Sequence, residues 1–249
     1  RTGGTVNLMG TLSGDLALDS TTGSWNLEGG TLRDGTFTKG GGATLTVSDG
    51  TLNNVQLDSD VTVTGNVTVI NGLELNSQLL LDSASVVFSD TQTLSGTGEV
   101  FFGGSDFSTS YLGASGNAIT LTIGPDIEIR GSQNGQITPW SFGTERFINQ
   151  GQIIADATDR SITLNNVDNQ GAILVSNNAT LSLDGTWTNA STISANNANF
   201  ALNGTWTNTG AIDSTNSTVA LGGFFTQLGL GSFTRTGGTV NLMGTLSGD

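Results

Sequence analysis

The sequence predicts an all-β fold, a right-handed parallel β-solenoid (β-helix) of about twelve coils of about 19–20 residues each. Three observations predict it. Equivalent residues recur every 19 or 20 positions along much of the 249-residue chain. Polar and apolar residues alternate within each unit, as in "VTVTGNVTV" and "DIEIRG", which is the pattern of strands with one buried face. The composition, rich in Thr and Gly (37 residues) with only 11% charged residues, favours short strands and frequent turns over helix.

A unit of this length contains two or three strands and is too short to form a core alone. If each unit is one coil, equivalent residues stack about 4.8 Å apart, and each strand pairs in parallel with its copy in the next coil. The usual hand of parallel crossovers predicts that the solenoid is right-handed.

The period is visible in the first quarter of the chain. "GTLSGD", "GTLRDG" and "GTLNNV" place Gly10, Gly30 and Gly50 at a constant interval of twenty positions, each with a leucine two positions later. This spacing indicates that the same repeating unit is present in the first quarter.

Acidic and amide residues in the same quarter, Asp15, Asp34 and Asn54, are spaced by 19 and 20 positions. We interpret them as solvated turn residues. No EF-hand loop or glycine-rich calcium-binding nonapeptide is present, so no cofactor or metal site is predicted. The alternative is a carboxylate-rich edge that collects calcium at these acidic turns.

The period falters from about residue 61 to residue 147. "FFGGSDFSTSYLGASGN" breaks the count, and both prolines follow it. We therefore expect irregular, loop-bearing coils near residues 101–147, because insertions leave a solenoid as loops and loops often carry function. The candidate partner-binding loop comprises Asp106, Tyr111, Trp140 and Arg146. The alternative is a widened coil with an extra turn.

Two series with a constant interval of nineteen positions mark the third quarter. Leu164, Leu183, Leu202 and Leu221 predict one inward aliphatic stack. The aromatic series is Trp187, Trp206 and Phe225. These rings either form an exposed platform for sugars or stack in the core. The threonines on both sides of each Trp favour the core, because neighbouring strand residues point to opposite faces.

Asparagines form another series, spaced by 20, 20 and 19 positions: Asn149, Asn169, Asn189 and Asn208. An asparagine at a turn in every coil tolerates a left-handed backbone and passes side-chain amide hydrogen bonds from coil to coil as a ladder. The alternative is a row that binds glycans or ions.

The first fifteen residues, "RTGGTVNLMGTLSGD", reappear letter for letter as residues 235–249. We therefore predict that residues 1–234 are one tandem-repeat unit, twelve coils and about 57 Å long at about 4.8 Å per coil. Residues 235–249 begin the next repeat. The phase is expected to continue across the seam, since Leu242, the copy of Leu8, follows Leu221 at nearly the same interval.

Charge and residue types exclude several functions. The formal net charge of −14 repels nucleic acid, so no nucleic-acid partner is predicted. No apolar run is long enough for a membrane span. The chain has no His and no Cys, which removes the imidazole base, the usual serine triad and thiolate metal sites. We predict no catalytic residue and no enzymatic activity.

Units such as "LSLDGTWTNASTISANN" and "LNNVDNQGAILVSNNATL" resemble coils of large secreted bacterial β-solenoid repeat proteins. These are the filamentous haemagglutinin-type adhesins and autotransporter passenger domains. The resemblance implies secretion, an extracellular or cell-surface rod, and roles in adhesion, biofilm or surface coating. It supplies no matched functional residue.

The repeats and the resemblance together predict the structural unit of a filament or adhesin stalk. Its partners are further copies stacked end to end along the axis, with surface glycans or other cells as additional partners. The alternative function is a carbohydrate-binding or polysaccharide-processing β-helix protein.

Overall fold

The computed structural model describes residues 4–105 and 107–248, and these form one β-solenoid of about twelve coils. The predicted all-β fold is confirmed. Strands of successive coils pair in parallel, and the apolar side chains that alternate along them point inward into a single continuous core. Each coil crosses three faces, named A, B and C in chain order.

The strands are grouped by face as follows. Three long strands cross all three faces: Trp25–Lys39, Leu45–Leu57 and Val61–Leu75. The other strands of face A are Val6–Leu8, Gln78–Asp82, Glu99–Gly103, Glu128–Gly131, Gln152–Ala155, Ala172–Ser176, Thr192–Asn196, Ala211–Thr215 and Ser232–Thr236. Those of face B are Thr11–Ser13, Ser85–Ser89, Thr109–Ser115, Asn134–Pro139, Ser161–Asn165, Thr180–Asp184, Asn199–Leu202, Thr218–Leu221 and Thr239–Leu242. Those of face C are Leu16–Leu18, Gln92–Ser95, Thr120–Ile123, Arg146–Asn149, Val167–Asn169, Thr186–Asn189, Thr205–Asn208, Phe224–Thr226 and Thr245–Ser247.

One inward position of face A shows the stacking along the described chain. Each residue of this stack pairs with the next: Val6, Trp25, Leu45, Val61, Leu79, Val100, Ile129, Ile153, Ile173, Ile193, Ile212 and Phe233. The interval is close to the predicted one at both ends of the solenoid. The shortest coil runs from Leu45 to Val61, and the longest runs from Val100 to Ile129.

The long coils occupy the segment in which the sequence period falters. The extra residues of the longest coil are spread over the lengthened strand Thr109–Ser115 and the corners, among them 116–119 and 124–127, and the next coil carries a further loop at 140–145. The strands on either side keep their register. The irregular middle is therefore a pair of widened coils whose additional residues lie mostly at the corners.

Glycines at the corner between faces B and C allow successive coils to approach closely. Gly204 has φ +73°, and a Cβ there would lie 1.9 Å from the carbonyl oxygen of Gly185 in the preceding coil. Gly223 repeats this arrangement above Gly204. A side chain at either position would combine a left-handed backbone with a backbone clash.

One short helix, Gln227–Leu230, lies at the corner between faces C and A near the end of the chain. The hydroxyl of Thr226 caps it by accepting a hydrogen bond from the backbone N–H of Gly229 at 2.8 Å. In the part of the chain that the structure describes, no helix is long and apolar enough to cross a membrane.

Candidate interaction surface and interior ladders

Tyr111 and Trp140 lie in contact on the outer side of face B, in the two widened coils. Their ring centroids are 6.0 Å apart with an interplanar angle of 71°, an edge-to-face packing. Trp140 directly follows the strand Asn134–Pro139, and its backbone N–H donates to the carbonyl of Ala114 at 2.8 Å. Its side chain is 44% exposed. The structure thus brings together two of the four residues of the candidate partner-binding loop.

Gly113 makes room for this aromatic pair. A Cβ at Gly113 would lie 3.1 Å from Cε3 of the Trp140 indole, and the residue is buried although it belongs to an outward position. The indole therefore covers the backbone of the preceding coil at Gly113, which is the one outward position of the strand Thr109–Ser115 that has no side chain.

The loop that carries Trp140 is held by a buried carboxylate. Oε1 of Glu145 accepts hydrogen bonds from the backbone N–H groups of Phe142 (3.0 Å), Ser141 (3.1 Å) and Gly116 (3.4 Å). Burial by itself raises the pKa of Glu145, but these hydrogen bonds outweigh it and hold the pKa below its ordinary value of 4.5. The carboxylate thereby ties the 140–145 loop to the corner of the preceding coil.

A second exposed aromatic residue, Phe107, lies at the corner between faces A and B. It is 77% exposed, and the guanidinium of Arg160 lies 4.5 Å from its ring centroid. Oε1 of Gln133 accepts from both the backbone N–H of Phe107 (3.2 Å) and Nε of Arg160 (3.0 Å). Gln133 therefore links the exposed loop to the corner of a later coil.

A third candidate loop residue, Arg146, does not join the pair. Arg146 lies on face C, where its guanidinium forms an ion pair with Asp168 at 2.6 Å and donates to the carbonyl of Thr186 at 3.0 Å. Asp106 lies outside the described residues. The surface defined by Tyr111, Trp140 and the neighbouring exposed Phe142 is called the lateral aromatic surface below.

The four predicted ladder asparagines stack on face C and hydrogen-bond in one direction. Nδ2 of each donates to Oδ1 of the next, at 2.8 Å from Asn149 to Asn169, 2.7 Å from Asn169 to Asn189 and 2.7 Å from Asn189 to Asn208. The last member, Asn208, donates to the carbonyl of Leu230 at 2.9 Å. All four are buried, so the series is an interior hydrogen-bonded ladder and offers no row to a glycan.

The left-handed backbone expected for these asparagines is found at other asparagines. The ladder residues end extended strands, whereas positive φ angles of 50–60° occur at corner asparagines: Asn54, Asn71, Asn166, Asn177, Asn178, Asn197 and Asn216. Two different physical demands select asparagine in this chain. Strand ends use its paired donor and acceptor, and corners use its tolerance of the left-handed region.

The aromatic series of face C forms a buried stack. Trp187 and Trp206 are 5.0 Å apart at 7°, and Trp206 and Phe225 are 4.3 Å apart at 17°. The three residues are at most 4% exposed. Each indole N–H donates to a carbonyl, that of Asn203 for Trp187 and that of Gly222 for Trp206. These rings are therefore core residues with satisfied polar atoms, and they cannot serve as a sugar platform.

The leucine series lies inward on face B. Leu164, Leu183, Leu202 and Leu221 pair in register and are buried. Leu242 continues the stack above Leu221. The second copy of the repeated sequence thus extends the existing core without a break in pairing.

The acidic turn residues of the first quarter are held by hydrogen bonds between coils. Oδ1 of Asp34 accepts from Nδ2 of Asn54 at 3.0 Å, and Asp15 accepts from the backbone N–H of Thr36 at 2.9 Å. The hydrogen bond from Asn54 and that from Arg33 lower the pKa of Asp34. These hydrogen bonds connect the corners of successive coils, so the acidic turn residues have a structural role. Among the described residues, no group of three or more acidic side chains is placed to hold a metal ion.

The last coil presents apolar side chains to solvent. Leu242, Met243 and Leu246 are 59%, 74% and 45% exposed. Leu8 and Leu12, the copies of the two leucines in the first coil, are partly buried against the core. The two leucines of the repeated sequence are therefore more buried in the first copy, which another coil follows, than in the second copy.

Sequence reasoning missed three residues of the lateral aromatic surface and its support: Gly113, Phe142 and Glu145. Phe142 and Glu145 follow Trp140 by two and five positions in a segment already identified as irregular, and this place in the chain was the available signal. The role of Gly113 depends on the pairing of Ala114 with Pro139, which places Trp140 above it. No sequence period reports that pairing, because the two coils differ in length.

Comparisons of the chain with protein-family models, with curated proteins and with solved structures find no match.

Proposed function

We propose that this chain is a structural repeat of a long β-solenoid filament or adhesin stalk in which near-identical 234-residue units stack end to end. One observation carries the proposal. The described part of the second copy of the fifteen-residue sequence continues the solenoid, with Val240 pairing with Val219 and Leu242 with Leu221. A repeat that can be appended at this point extends the rod instead of starting a separate domain.

The energetics of stacking support a filament. Each coil contacts only its neighbours, so stability grows with the number of coils and every appended coil buries the apolar side chains of the one before. Leu242 and Leu246 are exposed in the last coil, while Leu8 and Leu12 are partly buried under the coil that follows them. A continuing chain would cover both leucines of the later copy.

The proposed setting is extracellular or at a bacterial cell surface, as the resemblance to secreted β-solenoid repeat proteins implies. A net charge of −14 supports solubility of an extended rod through self-repulsion. The proposed role is mechanical and involves no reaction. In such a stalk the lateral aromatic surface is the best-defined exposed feature for contact with another surface.

Electron microscopy of the native assembly tests this proposal. The expected result is unbranched rods in which successive units follow one another at about 54 Å along the axis, set by about 4.8 Å per coil. Isolated globular particles without an axial repeat would overturn it.

A matched pair of variants tests how the last coil docks. Val240→Lys places a charge over Val219, while Asn241→Lys changes an exposed neighbour. Hydrogen exchange of residues 232–247 should lose protection in the first variant and keep it in the second. Equal protection in both would show that the interior stack does not hold this coil.

The second candidate is a carbohydrate-binding role, favoured by the exposure of Trp140 and its packing on Tyr111. An exposed indole supported from behind is suited to contact the apolar face of a sugar ring. Screening on immobilised polysaccharides should then give saturable, salt-insensitive binding. Trp140→Ala should abolish it while leaving the circular dichroism spectrum unchanged, whereas binding that survives Trp140→Ala would exclude this surface.

A further inference from the structure

The two copies of the repeated sequence lie on different faces of the solenoid. In the first copy Val6–Leu8 belongs to face A, where Val6 pairs with Trp25. In the second copy the same residues, Val240 to Leu242, belong to face B, where they pair with Val219 to Leu221. Identical sequence therefore begins one face later at the second occurrence.

The next strand of the repeated sequence shows the same shift. Thr11–Ser13 lies on face B, where it pairs with the middle part of the long strand Trp25–Lys39. Its copy Thr245–Ser247 lies on face C, where it pairs with Phe224–Thr226. Both described strands of the repeated sequence are thus displaced by one face, so the displacement is not a slip of a single strand.

The shift follows from the lengths of the coils. From Val6 to Val240 the described chain makes eleven full turns and one additional face, because the widened coils near residues 100–152 take up more residues than a regular coil. The interval between the two copies is therefore not a whole number of turns. The expectation that one unit spans twelve whole coils is refined to eleven coils and one face.

Both faces accept the same residues because each presents the same alternation. Leu8 pairs with the buried Leu27 on face A, and Leu242 pairs with the buried Leu221 on face B. The outward neighbours are Asn7, which pairs with Asn26, and Asn241, which pairs with Ala220. Inward leucine and outward asparagine fit either position, so nothing in the segment forces it back to face A.

We propose that successive 234-residue units are related by a screw operation that advances them by one face, about a third of a turn of a three-faced coil. This inference rests on the proposed tandem array. The rise per unit is about 54 Å at about 4.8 Å per coil. Three units contain thirty-four whole coils, so the array regains its starting orientation after about 160 Å.

The screw determines how the array meets its surroundings. Each unit carries one lateral aromatic surface on face B, and face B of one unit continues as face A of the next. The lateral aromatic surfaces therefore point in three directions in turn, and a filament presents Trp140 around its whole circumference. A partner with several binding sites would engage every third unit along one side of the filament.

Cross-linking in the 249-residue chain tests the register at the seam, and the absence of Cys gives a clean background. The pair Ala220→Cys with Asn241→Cys should react with a short thiol cross-linker, because these outward residues are paired on face B. The pair Asp213→Cys with Asn241→Cys should not react, whereas it would if the second copy returned to face A. Ser194→Cys with Asp213→Cys, paired on face A, is the positive control.

Electron microscopy of native filaments labelled through Trp140→Cys then separates the two proposals. Labels that rotate by a third of a turn from one unit to the next along the axis support the screw. Labels on a single line, or cross-linking of residues 213 and 241, overturn the screw and leave the filament intact. A preparation without filaments overturns the proposed function, and in that case the cross-linking result still reports the register at the seam.

Discussion

The side chain of Asn149 donates a hydrogen bond to Asn169 at 2.8 Å, yet its own carboxamide oxygen has no donor among the described residues. Ile123 occupies the position that an earlier asparagine would fill, because it pairs with Asn149 in the stack of face C. The ladder thus has a direction. It begins at an unsatisfied acceptor, passes through two fully paired residues and ends on the backbone carbonyl of Leu230.

Interrupting the ladder in its middle should destabilise the protein. Asn169→Ala removes the acceptor of Asn149 and the donor of Asn189 in a buried environment, so the free energy of unfolding should fall by about 1–3 kcal/mol. Urea denaturation measures the change. Gln170→Ala, one residue away with an exposed side chain, should change it by less than about 0.5 kcal/mol. Equal effects at the two positions would contradict a structural role for the ladder.

The aromatic stack should contribute more than the ladder. Trp206 lies between Trp187 and Phe225, so Trp206→Ala leaves a cavity and removes two ring contacts at once. We expect the free energy of unfolding to fall by about 3–5 kcal/mol. The control is Thr207→Ala, at an exposed position of the same strand. If Trp206→Ala lowered the free energy of unfolding by no more than Thr207→Ala does, the aromatic stack would not be part of the stabilising core.

Gly113 and Trp140 should be energetically coupled. Gly113→Val places methyl groups where the indole lies, which should displace Trp140 and lower the free energy of unfolding by about 1–3 kcal/mol. In a Trp140→Ala background the same valine should cost much less, because the space is then empty. A double-mutant cycle measures the coupling. Additive effects would mean that the indole does not rest on Gly113.

Glu145 should make stability depend on pH. Its pKa in the folded protein is lowered by backbone hydrogen bonds despite burial, so the carboxylate stabilises the fold above its ordinary pKa of 4.5, the value in the unfolded state. This contribution is lost as the pH falls through the lower folded value. Glu145→Gln should therefore cost stability at pH 7 and little at pH 2–3. Chemical denaturation at both pH values measures the difference, and Asp126→Asn at an exposed turn is the control. If the loss of stability in Glu145→Gln were the same at both pH values, the charge of Glu145 would not contribute to stability.

The sequence predicted features that repeat in phase. The leucine stack, the asparagine ladder and the aromatic stack lie where their intervals placed them, because residues at one interval fall on one column of a solenoid. The handedness of the coil and the function stay predictions. Features that depend on corner geometry were not predictable from intervals. The contact of Trp140 with Tyr111 depends on two coils of unequal length, and the four-residue helix at Gln227 is too short to show a helical period.

The face of the second copy was the most informative discrepancy. Counting positions gave a whole number of average coils between Leu8 and Leu242, but the coil that begins at Leu45 is far shorter than the coil that begins at Val100. The average coil length concealed the additional third of a turn that sets the orientation of the second copy. The sequence period predicts which residues stack along the axis, whereas the rotation about the axis depends on the summed lengths of all the individual coils.

The parallel stacking of coils also determines how such a rod would respond to tension. Hydrogen bonds between coils run along the axis, so a pull on the two ends of the chain opens the outermost coil before its neighbours are loaded. Each coil of about 20 residues then releases about 70 Å of extended chain at about 3.4 Å per residue. A stalk built this way would lengthen in small steps under load. It would dissipate mechanical work coil by coil and so limit the peak force between an anchored base and a moving tip.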